Sequence, residues 1–340
     1  MNELELTYLP YSLKFKVPFV TSKVIMKERK GFIIEVTDSS GVKGIGDIAP
    51  LTEFGVESCE TAEEQLKHIR LKIELRENIR KSITDFLTPY DNYPALRHGL
   101  EQAILSFICN KTKLKLNELL ELNLAKEINI NAVIGFLPPK DSAKLAKDFV
   151  NEGYSTIKVK LGRENFAEDE AVINEIRNAV NESVKLRVDI NGKWNLNEAI
   201  DNLNKLEKYN IEYAEEPVSG FEKFIDLSKE TNVALAPDES LRNKDDAIAF
   251  IDSNIISFLI LKPMMLGGLI SVLELSQLAK SKNITPVITS SFESTVGRVN
   301  AVIAAAAVNT ETAHGLGTAK YFEKDLIEDP FQIVKGKIKL

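Results

Sequence analysis

The stretch YSTIKVKLG, residues 154–162, has the composition of a short β-strand that ends at a glycine. It carries two lysines, Lys158 and Lys160, with one residue between them. Because side chains alternate across a strand, both ammonium groups point to the same face. If that face meets solvent, the strand is an ordinary half-exposed one. If it lines the inside of a sheet or barrel, the two lysines share a cavity.

Short apolar segments alternate with helical segments along the chain from about Ile128 onward. The apolar segments are INAVIG (130–135), TIKVKLG (156–162), KLRVDING (185–192), IEYAEEP (211–217), VALAPDES (233–240), SFLILKP (257–263), ITPVITSS (284–291) and TAHGLGT (312–318). Crossovers of about 20 residues between them predict a parallel sheet. Eight such units favour a closed (β/α) barrel. The alternative, an open doubly wound sheet, is disfavoured because no glycine-rich phosphate-binding fingerprint follows the first strand.

Polar side chains stand at the end of each predicted strand from the second to the sixth. They are Lys158 and Lys160, Asp189 and Asn191, Glu215 and Glu216, Asp238 and Glu239, and Lys262. The steps from Asp189 to Glu215, to Asp238 and to Lys262 are 26, 23 and 24 residues, which is one β/α unit each time. In a barrel, such equivalent positions lie side by side at the C-terminal mouth, where active sites sit. The barrel therefore predicts that the lysines face inward.

Three neighbouring carboxylates are costly unless a cation neutralises them, since like charges disfavour each other's ionised forms. The side chains on offer at these positions include no cysteine or histidine, and oxygen ligands of this kind predict a hard divalent cation, Mg²⁺. Burial and the neighbouring cations are expected to lower the pKa of Lys158 and Lys160 towards the range of a general base. Each of these residues alone has an ordinary explanation, such as a helix- or turn-capping side chain in solvent or the solvent-exposed face of a strand. Only their combined pattern favours a metal-binding active site.

The first part of the chain is predicted to be an antiparallel meander followed by helices. Its strands are Leu4–Val17, Gly31–Thr37 and Val42–Ile48, with a turn signal before the third. The stretch Phe19–Lys30 is polar and rich in lysine, which is typical of an exposed loop. We expect it to form a mobile lid that contributes to specificity. The residues after Ala319 form a tail that is expected to return to this N-terminal layer.

Composition excludes several classes of protein. The net charge of −7 argues against a nucleic-acid-binding protein, which would usually be basic. The two cysteines, Cys59 and Cys109, are too few for a disulfide framework or a thiolate metal site, as is typical of a reducing cytosol. No secretory signal is evident, and no stretch approaches the roughly 18 apolar residues of a membrane span. We expect a cytoplasmic protein with no nucleic-acid or membrane partner, and an oligomer is possible.

These motifs resemble the enolase superfamily, in its muconate-lactonizing subgroup. The likeness rests on KxK (158–160), DxN (189–191), EEP (215–217), PDES (237–240) and LKP (261–263) followed by Gly267-Gly268. GIGDIAPL (44–51) looks like the GxGExAPL of the family's capping domain, with Asp47 where glutamate is usual. The resemblance implies a modified TIM barrel, (β/α)7β, at 128–318. It also implies an enolase-like α+β capping domain at 1–127, completed by the C-terminal tail 319–340.

The resemblance also implies a role for each residue at the mouth of the barrel. Asp189, Glu215 and Asp238 would bind the metal ion, and Asn191, Glu216 and Glu239 would support them from behind. Lys160 would remove a proton next to the carboxylate of a small-molecule substrate. Lys158 would be its electrostatic partner, and Lys262 a cation on the opposite side of that substrate. Metal stabilisation of the resulting ene-diolate is the physical reason for such a site.

Further stretches resemble members of this subgroup that dehydrate a cyclohexadiene carboxylate to 2-succinylbenzoate in menaquinone biosynthesis. They are TSSFESTVG (289–297), HGLGT (314–318), RKGF (29–32) and ALRHGLEQAI (95–104). The candidate substrate contacts are Arg29, Ser290, Ser291, Gly315 and Gly317, with backbone N–H groups of the serine- and glycine-rich turns receiving the succinyl chain. His314 is interpreted as a structural histidine with satisfied hydrogen bonds and no metal.

Three other functions remain open at this point. An epimerase of dipeptides or N-acylamino acids would use Lys160 and Lys262 on opposite faces of the alpha carbon. A Schiff-base aldolase would use a barrel lysine to form an imine and would need no metal. A non-catalytic binding protein is disfavoured, because the predicted ligand carboxylates and Lys160 are all present.

Overall fold

An antiparallel β-meander forms the N-terminal part of the chain. The computed structural model describes residues 4–20, 25–73, 78–308 and 311–340. The strands of the meander are β1 (Glu5–Val20), β2 (Ile25–Thr37) and β3 (Lys43–Ile48), in the order β1-β2-β3. The predicted meander is therefore confirmed, although its first two strands are longer than the sequence indicates.

The segment Phe19–Lys30 is mostly strand, so its interpretation as an exposed loop is wrong for the paired residues. Phe19 pairs with Met26 and Val20 with Ile25, which extends the hairpin of β1 and β2. Residues 21–24, which fall within the predicted lid, lie outside the described residues. In the part of β2 within this segment only Met26 and Arg29 are buried. Because most of its side chains face solvent, this part of the hairpin has the polar composition that is typical of a loop. A contribution of this hairpin to specificity stays a prediction.

Four helices follow the meander in the described part of the chain. They are α1 (Cys59–Leu66), α2 (Ile79–Leu87), α3 (Pro94–Thr112) and α4 (Leu116–Leu119). Helix α3 lies directly on β3 because Gly44 and Gly46 present no side chain to it. A Cβ atom at either glycine would stand 2.1 Å from a backbone oxygen of α3, well inside van der Waals contact. The two glycines of GIGDIAPL therefore set the helix position, and the next residue, Asp47, is buried.

Strands and helices form the rest of the molecule; the first of these strands pairs antiparallel with the C-terminal tail, and the later ones are parallel to their neighbours and alternate with helices. The strands are β4 (Glu127–Asn129), β5 (Ala132–Ile134), β6 (Thr156–Lys160), β7 (Lys185–Asp189), β8 (Ile211–Glu215), β9 (Leu235–Ala236), β10 (Phe258–Leu261) and β11 (Thr285–Ile288). The helices are α5 (Pro139–Asn151), α6 (Phe166–Ala179), α7 (Leu196–Leu206), α8 (Phe221–Leu227), α9 (Lys244–Ser253), α10 (Leu269–Ser281) and α11 (Thr295–Val308).

The strands from β5 to β11 close into a barrel. Strands β5 to β9 form one parallel sheet and β10 and β11 another, joined by hydrogen bonds such as Ile260 N to Pro237 O at 3.3 Å. Residues 314 and 315 complete the ring, since Gly315 N donates to Ile288 O at 2.9 Å and His314 N to Asn129 O at 2.8 Å. The architecture is therefore the predicted α/β modified TIM barrel, (β/α)7β, with an N-terminal α+β cap.

The C-terminal tail contacts both parts of the molecule. Phe322 bridges to Phe15 of β1, and strands β12 (Ile333–Val334) and β13 (Lys337–Lys339) follow. Strand β13 pairs antiparallel with β4, which immediately precedes the first barrel strand, β5. The predicted division of the chain at 127/128, with the tail counted to the cap, stays a prediction. No helix among the described residues is long and apolar enough to cross a membrane.

Candidate active site

Lys158 and Lys160 point into the barrel, which answers the question raised by the YSTIKVKLG stretch. Their neighbours Ile157 and Val159 are fully buried on the opposite face of β6, beneath the helices. The strand register pairs Lys160 with Asp189 and Asp189 with Glu215. The in-phase spacing seen in the sequence therefore becomes a row of ionisable side chains across three adjacent strands.

The two lysines of β6 form ion pairs with the carboxylates beside them. Lys158 Nζ lies 3.0 Å from Asp189 Oδ2 and 2.7 Å from Glu215 Oε1. Lys160 Nζ lies 2.7 Å from the same Asp189 oxygen and donates to Asn191 Oδ1 at 2.8 Å. Lys158 thus bridges two carboxylates, whereas Lys160 shares one carboxylate and a neutral amide.

A third lysine approaches the cluster from β10's C-terminal end. Lys262 Nζ lies 2.5 and 2.7 Å from the two carboxylate oxygens of Asp238. It also stands 5.5 Å from the centre of the Phe54 ring, a residue of the cap. All six predicted catalytic and metal-binding residues therefore meet at one mouth of the barrel.

The charges of the cluster shift its pKa values strongly. Burial disfavours ionisation of Asp189, but the ammonium groups of Lys158 and Lys160 outweigh it and hold its pKa below the usual value. Burial, followed by the charge of Asp189, raises the pKa of Glu215. Burial alone would lower the pKa of Lys158, yet Asp189 and Glu215 raise it well above the usual value. The expected fall in the pKa of Lys158 is therefore wrong for this arrangement, because the carboxylates dominate.

The donor chemistry at this mouth fits a hard divalent cation. Asp189, Glu215 and Asp238 are all buried, and Glu215 Oε2 has no hydrogen-bond partner among the described residues. Within the same part of the chain, no three such side chains stand together in metal-binding geometry, because the lysines pair with them instead. Buried carboxylate oxygens with an unpartnered atom are nevertheless the ligands that Mg²⁺ prefers.

The three predicted supporting residues hold the strand ends in place. Glu216 accepts hydrogen bonds from Asp238 N at 2.8 Å and Ser240 Oγ at 2.5 Å. Asn191 Nδ2 donates to Glu239 Oε1 at 2.8 Å. Asn191 and Glu216 have φ angles of 51° and 42°, in the left-handed region that non-glycine residues rarely adopt. This strained backbone orients the side chains around the cluster.

A cavity of about 110 Å³ opens above the cluster. Besides the ionisable residues, it is lined by Phe54, Asn131, Val133, Tyr154, Thr289, Ser290, Phe292, Gly315, Gly317, Thr318, Lys320 and Tyr321. Of the five predicted substrate contacts, Ser290, Gly315 and Gly317 line this cavity. The remaining lining residues were missed. Phe54, Lys320 and Tyr321 lie on the cap and tail, which have no fixed spacing relative to the barrel strands, and the others are uncharged barrel residues outside the pattern of ionisable side chains.

Arg29 and Ser291, the other two predicted substrate contacts, do not line the cavity. The buried Arg29 guanidinium donates to the backbone oxygens of Ala49 and Pro50 and so fixes the end of the cap's meander. Ser291 donates through N and Oγ to its neighbour Glu293, at 2.5 and 3.1 Å. Both side chains are thus committed to the protein.

Some of the backbone N–H groups that were expected to bind the substrate already donate hydrogen bonds within the protein. Ser290 N donates to Gly315 O at 3.1 Å, and Gly315 N donates to Ile288 O at 2.9 Å. These N–H groups close the barrel and cannot also receive a succinyl chain. His314 is buried, and its Nδ1 accepts from Ile288 N at 3.0 Å, while its Nε2 has no partner among the described residues. Burial lowers its pKa to about 3, which keeps it neutral.

Comparison with known families agrees with this geometry. Residues 141–340 match the family described as "Enolase C-terminal domain-like", and residues 5–106 match the one described as "MenC, N-terminal domain". The chain belongs to the enolase superfamily. Enolase-superfamily members with related sequences are enzymes, and this protein is an enzyme as well.

Individual members of the enolase superfamily resemble the whole chain at low identity. o-Succinylbenzoate synthase of Bacillus subtilis (strain 168) is 26% identical over 347 residues, covering 99% of this chain and 92% of that protein. Protein PHYLLO, chloroplastic, of Arabidopsis thaliana is 27% identical over 351 residues; the match covers 91% of this chain but only 20% of that protein.

A solved structure in the enolase superfamily has the same fold. Dipeptide epimerase from Enterococcus faecalis V583, in a complex with Mg and the dipeptide L-Leu-L-Tyr, superposes with a TM-score of 0.86. The sequences are 24% identical, and the superposition covers 100% of this chain and 97% of that one. This likeness supports the fold, and the substrate of the present protein has to be inferred from its own active site.

Proposed function

We propose that the protein is an o-succinylbenzoate synthase, a carbon–oxygen lyase of menaquinone biosynthesis. The substrate would be 2-succinyl-6-hydroxy-2,4-cyclohexadiene-1-carboxylate, and the products 2-succinylbenzoate and water. The observation that carries the proposal is the pair Lys158 and Lys160 in direct contact with a carboxylate cluster at the base of a cavity. The MenC-type N-terminal match and the likeness to a synthase along nearly the whole chain support this reaction over others of the same scaffold.

Lys160 can serve both halves of a dehydration. Its amine removes the proton next to the ring carboxylate, and the resulting ammonium group then returns that proton to the departing hydroxyl. A C–H bond and a C–O bond break, a C=C bond forms, and water leaves, so no oxidant or reductant is required. Lys160 suits this role because it contacts one carboxylate and one neutral amide, Asp189 and Asn191, whereas Lys158 contacts two carboxylates. Lys158 and Lys262 supply fixed positive charge on either side of the reacting carboxylate.

Asp189, Glu215 and Asp238 would hold Mg²⁺. The ion would supply positive charge to stabilise the dianion that forms when the proton is removed. Because these carboxylates now pair with lysines, Lys158 and Lys262 must give up contacts when the cation binds. Losing those negative partners would lower the pKa of both lysines, and for Lys158 this is the direction expected from the sequence.

An epimerase is the second candidate, and one observation favours it. Lys160 and Lys262 line the same cavity from β6 and from the end of β10, which lie on different sides of the barrel. Two lysines on opposite faces of an alpha carbon can remove and return a proton. A Schiff-base aldolase would instead form an imine and would keep its activity in EDTA.

The test is an ultraviolet assay with the cyclohexadiene substrate, run with Mg²⁺ and with EDTA. We expect fast conversion to 2-succinylbenzoate in Mg²⁺ and none above background in EDTA. A dipeptide incubated in D₂O under the same conditions should exchange its alpha proton slowly. Background conversion combined with rapid dipeptide exchange would replace the synthase by the epimerase, and activity in EDTA would favour the aldolase.

The metal ligands can be tested separately from turnover. Asp238→Asn should weaken Mg²⁺ binding about tenfold or more, because a charged ligand becomes a neutral one. Asp252→Asn is the matched control, since Asp252 is an exposed carboxylate of the same barrel. Calorimetric titration with Mg²⁺ measures both. An unchanged affinity in Asp238→Asn would remove this residue from the ligand set.

A further inference from the structure

Lys320 lines the cavity from the C-terminal tail. It lies in a short 3-10 turn, Ala319–Tyr321, immediately after the segment that closes the barrel. Tyr321 and Tyr154 line the cavity beside it. Neither the (β/α) repeat nor the roles described so far account for a lysine at this position.

The ammonium group of Lys320 differs from the other lysines of the cavity. Lys158, Lys160 and Lys262 each form ion pairs with carboxylates. Among the residues that the structure describes, Lys320 forms no ion pair or hydrogen bond. Its Nζ lies 5.6 Å from the centre of the Phe149 ring and 5.5 Å from that of Tyr321.

The surroundings of Lys320 favour an anionic partner. Partial burial against the two rings lowers its pKa, and the charge of the more distant Glu152 only opposes this effect. Lys320 is nevertheless an exposed residue, so a ligand in the cavity can reach it. A cation that has lost part of its hydration, with no carboxylate beside it, gains most from a carboxylate brought by a ligand.

The position of Lys320 is also away from the reacting end of the cavity. Lys262 and Phe54 stand on the side of β10, whereas Lys320 follows the closing segment that bridges β11 to β5. In the ring of eight segments, this closing segment lies opposite β8, which carries Glu215 of the carboxylate cluster. The cavity therefore has one group of cations at the carboxylate cluster and another cation towards its opposite rim.

We propose that Lys320 binds a second carboxylate of the substrate, so that the site selects dicarboxylates whose second carboxylate is carried on a flexible side chain. This inference rests on the proposed function, for which the second carboxylate is that of the succinyl chain. It replaces the expected backbone donors at Ser290 and Gly315, whose N–H groups are used within the barrel. It also disfavours ligands that carry a cationic group at this end.

Lys320→Met tests this role, because methionine keeps the length and apolar stem of lysine and removes its charge. With the cyclohexadiene substrate and Mg²⁺, KM should rise about tenfold or more, as expected for loss of a charge-assisted contact, and kcat should change much less. Lys320→Glu should raise KM further. Lys324→Met is the matched control: Lys324 is exposed on the same tail and does not line the cavity, so its KM should equal that of the wild type.

Calorimetry with two product-like ligands separates this inference from the proposed function. 2-Succinylbenzoate and 2-butyrylbenzoate have the same chain length, but only the first carries the second carboxylate. Lys320→Met should weaken 2-succinylbenzoate about tenfold and leave 2-butyrylbenzoate unchanged. Equal effects on both ligands, or no effect on either, would overturn the role of Lys320. If the wild type binds 2-succinylbenzoate more tightly than 2-butyrylbenzoate, and this preference is lost in Lys320→Met, but the wild type does not dehydrate the cyclohexadiene substrate, then only the proposed function is overturned.

Discussion

Lys158 and Lys160 lie two residues apart on one strand, yet their different contacts favour different roles in the proposed reaction. Lys158 bridges Asp189 and Glu215, and these charges hold it as an ammonium. Lys160 shares Asp189 and donates its other hydrogen bond to the neutral Asn191. This difference supports the proposed roles, with the bridging Lys158 as a fixed charge and Lys160 as the base.

Lys160→Ala should lower kcat by about 10²–10⁴, the usual contribution of a positioned acid–base group. The fold should be kept, because Asp189 retains Lys158 as its counter-charge. Lys147→Ala, at an exposed position of α5, is the control and should leave kcat unchanged. Steady-state kinetics and circular dichroism measure the two effects. A Lys160→Ala enzyme within threefold of the wild type would assign the base to another residue.

At the scale of single residues, the sequence was sufficient wherever the repeat of the barrel fixed the position. Asp189, Glu215, Asp238 and Lys262 each follow the preceding one by one β/α unit, so their meeting could be predicted. The direction in which the pKa of Lys158 shifts could not be predicted from the sequence, because it depends on which charged groups lie closest to its ammonium group. The cavity residue Lys320 was missed for a related reason: it lies on the tail, whose path the repeat does not determine.

At the scale of elements, two carboxylates from outside the barrel hold the N-terminus of α11. Asp47, at the end of β3, accepts hydrogen bonds from Ser294 N at 3.0 Å and Ser294 Oγ at 2.7 Å. Asp325 of the tail accepts from Thr295 N at 3.0 Å and Thr295 Oγ1 at 2.8 Å. Both contacts place negative charge at a helix N-terminus, which is favourable. Asp47, where the family usually has glutamate, thus links the cap to the segment 289–294 of the cavity wall.

Asp47→Ala should therefore affect substrate binding as well as stability. Releasing Ser294 loosens the segment that carries Thr289, Ser290 and Phe292, so we expect KM to rise about threefold to tenfold. Asp325→Ala is the matched comparison, because it removes a cap from the same helix without contacting that segment. Both variants should lose about 1–2 kcal/mol in urea unfolding, the usual cost of a lost cap. Equal KM values in the two variants would contradict the role of Asp47.

The elements themselves could be predicted where hydrophobic periodicity was strong. The alternating pattern of β6 and the alternation of strands and helices in the barrel could be predicted from the sequence. The outer part of the β1–β2 hairpin could not be predicted as strand, because most residues in that part of β2 face solvent and its side chains do not alternate between buried and exposed. Closure of the ring through residues 314 and 315 depends on hydrogen bonds between distant segments, which local patterns do not specify.

At the scale of the whole molecule, a buried carboxylate joins the cap to the barrel. Glu101 of α3 is fully buried, and its Oε1 accepts from Ile270 N at 3.1 Å, at the start of α10. Gly268 allows this approach, since a Cβ atom there would lie 2.5 Å from the Glu101 carboxyl group. Arg97 Nη1 stands 3.8 Å from the second oxygen, Oε2, which has no hydrogen-bond partner among the described residues. Burial raises the pKa of Glu101 to about 7.

This pKa makes the stability of the two-part molecule depend on pH. Because the folded pKa lies above the unfolded value of about 4.5, the folded state binds more protons between these pH values. The free energy of unfolding should therefore fall as pH rises from about 4.5 through 7. Glu101→Gln removes this titration, so its stability relative to the wild type should improve by about 2–3 kcal/mol between pH 5 and pH 8. Urea unfolding in EDTA at both pH values measures the difference, with the exposed Glu230→Gln as control. A difference that does not change with pH would mean that Glu101 is already ionised in the folded protein at pH 5.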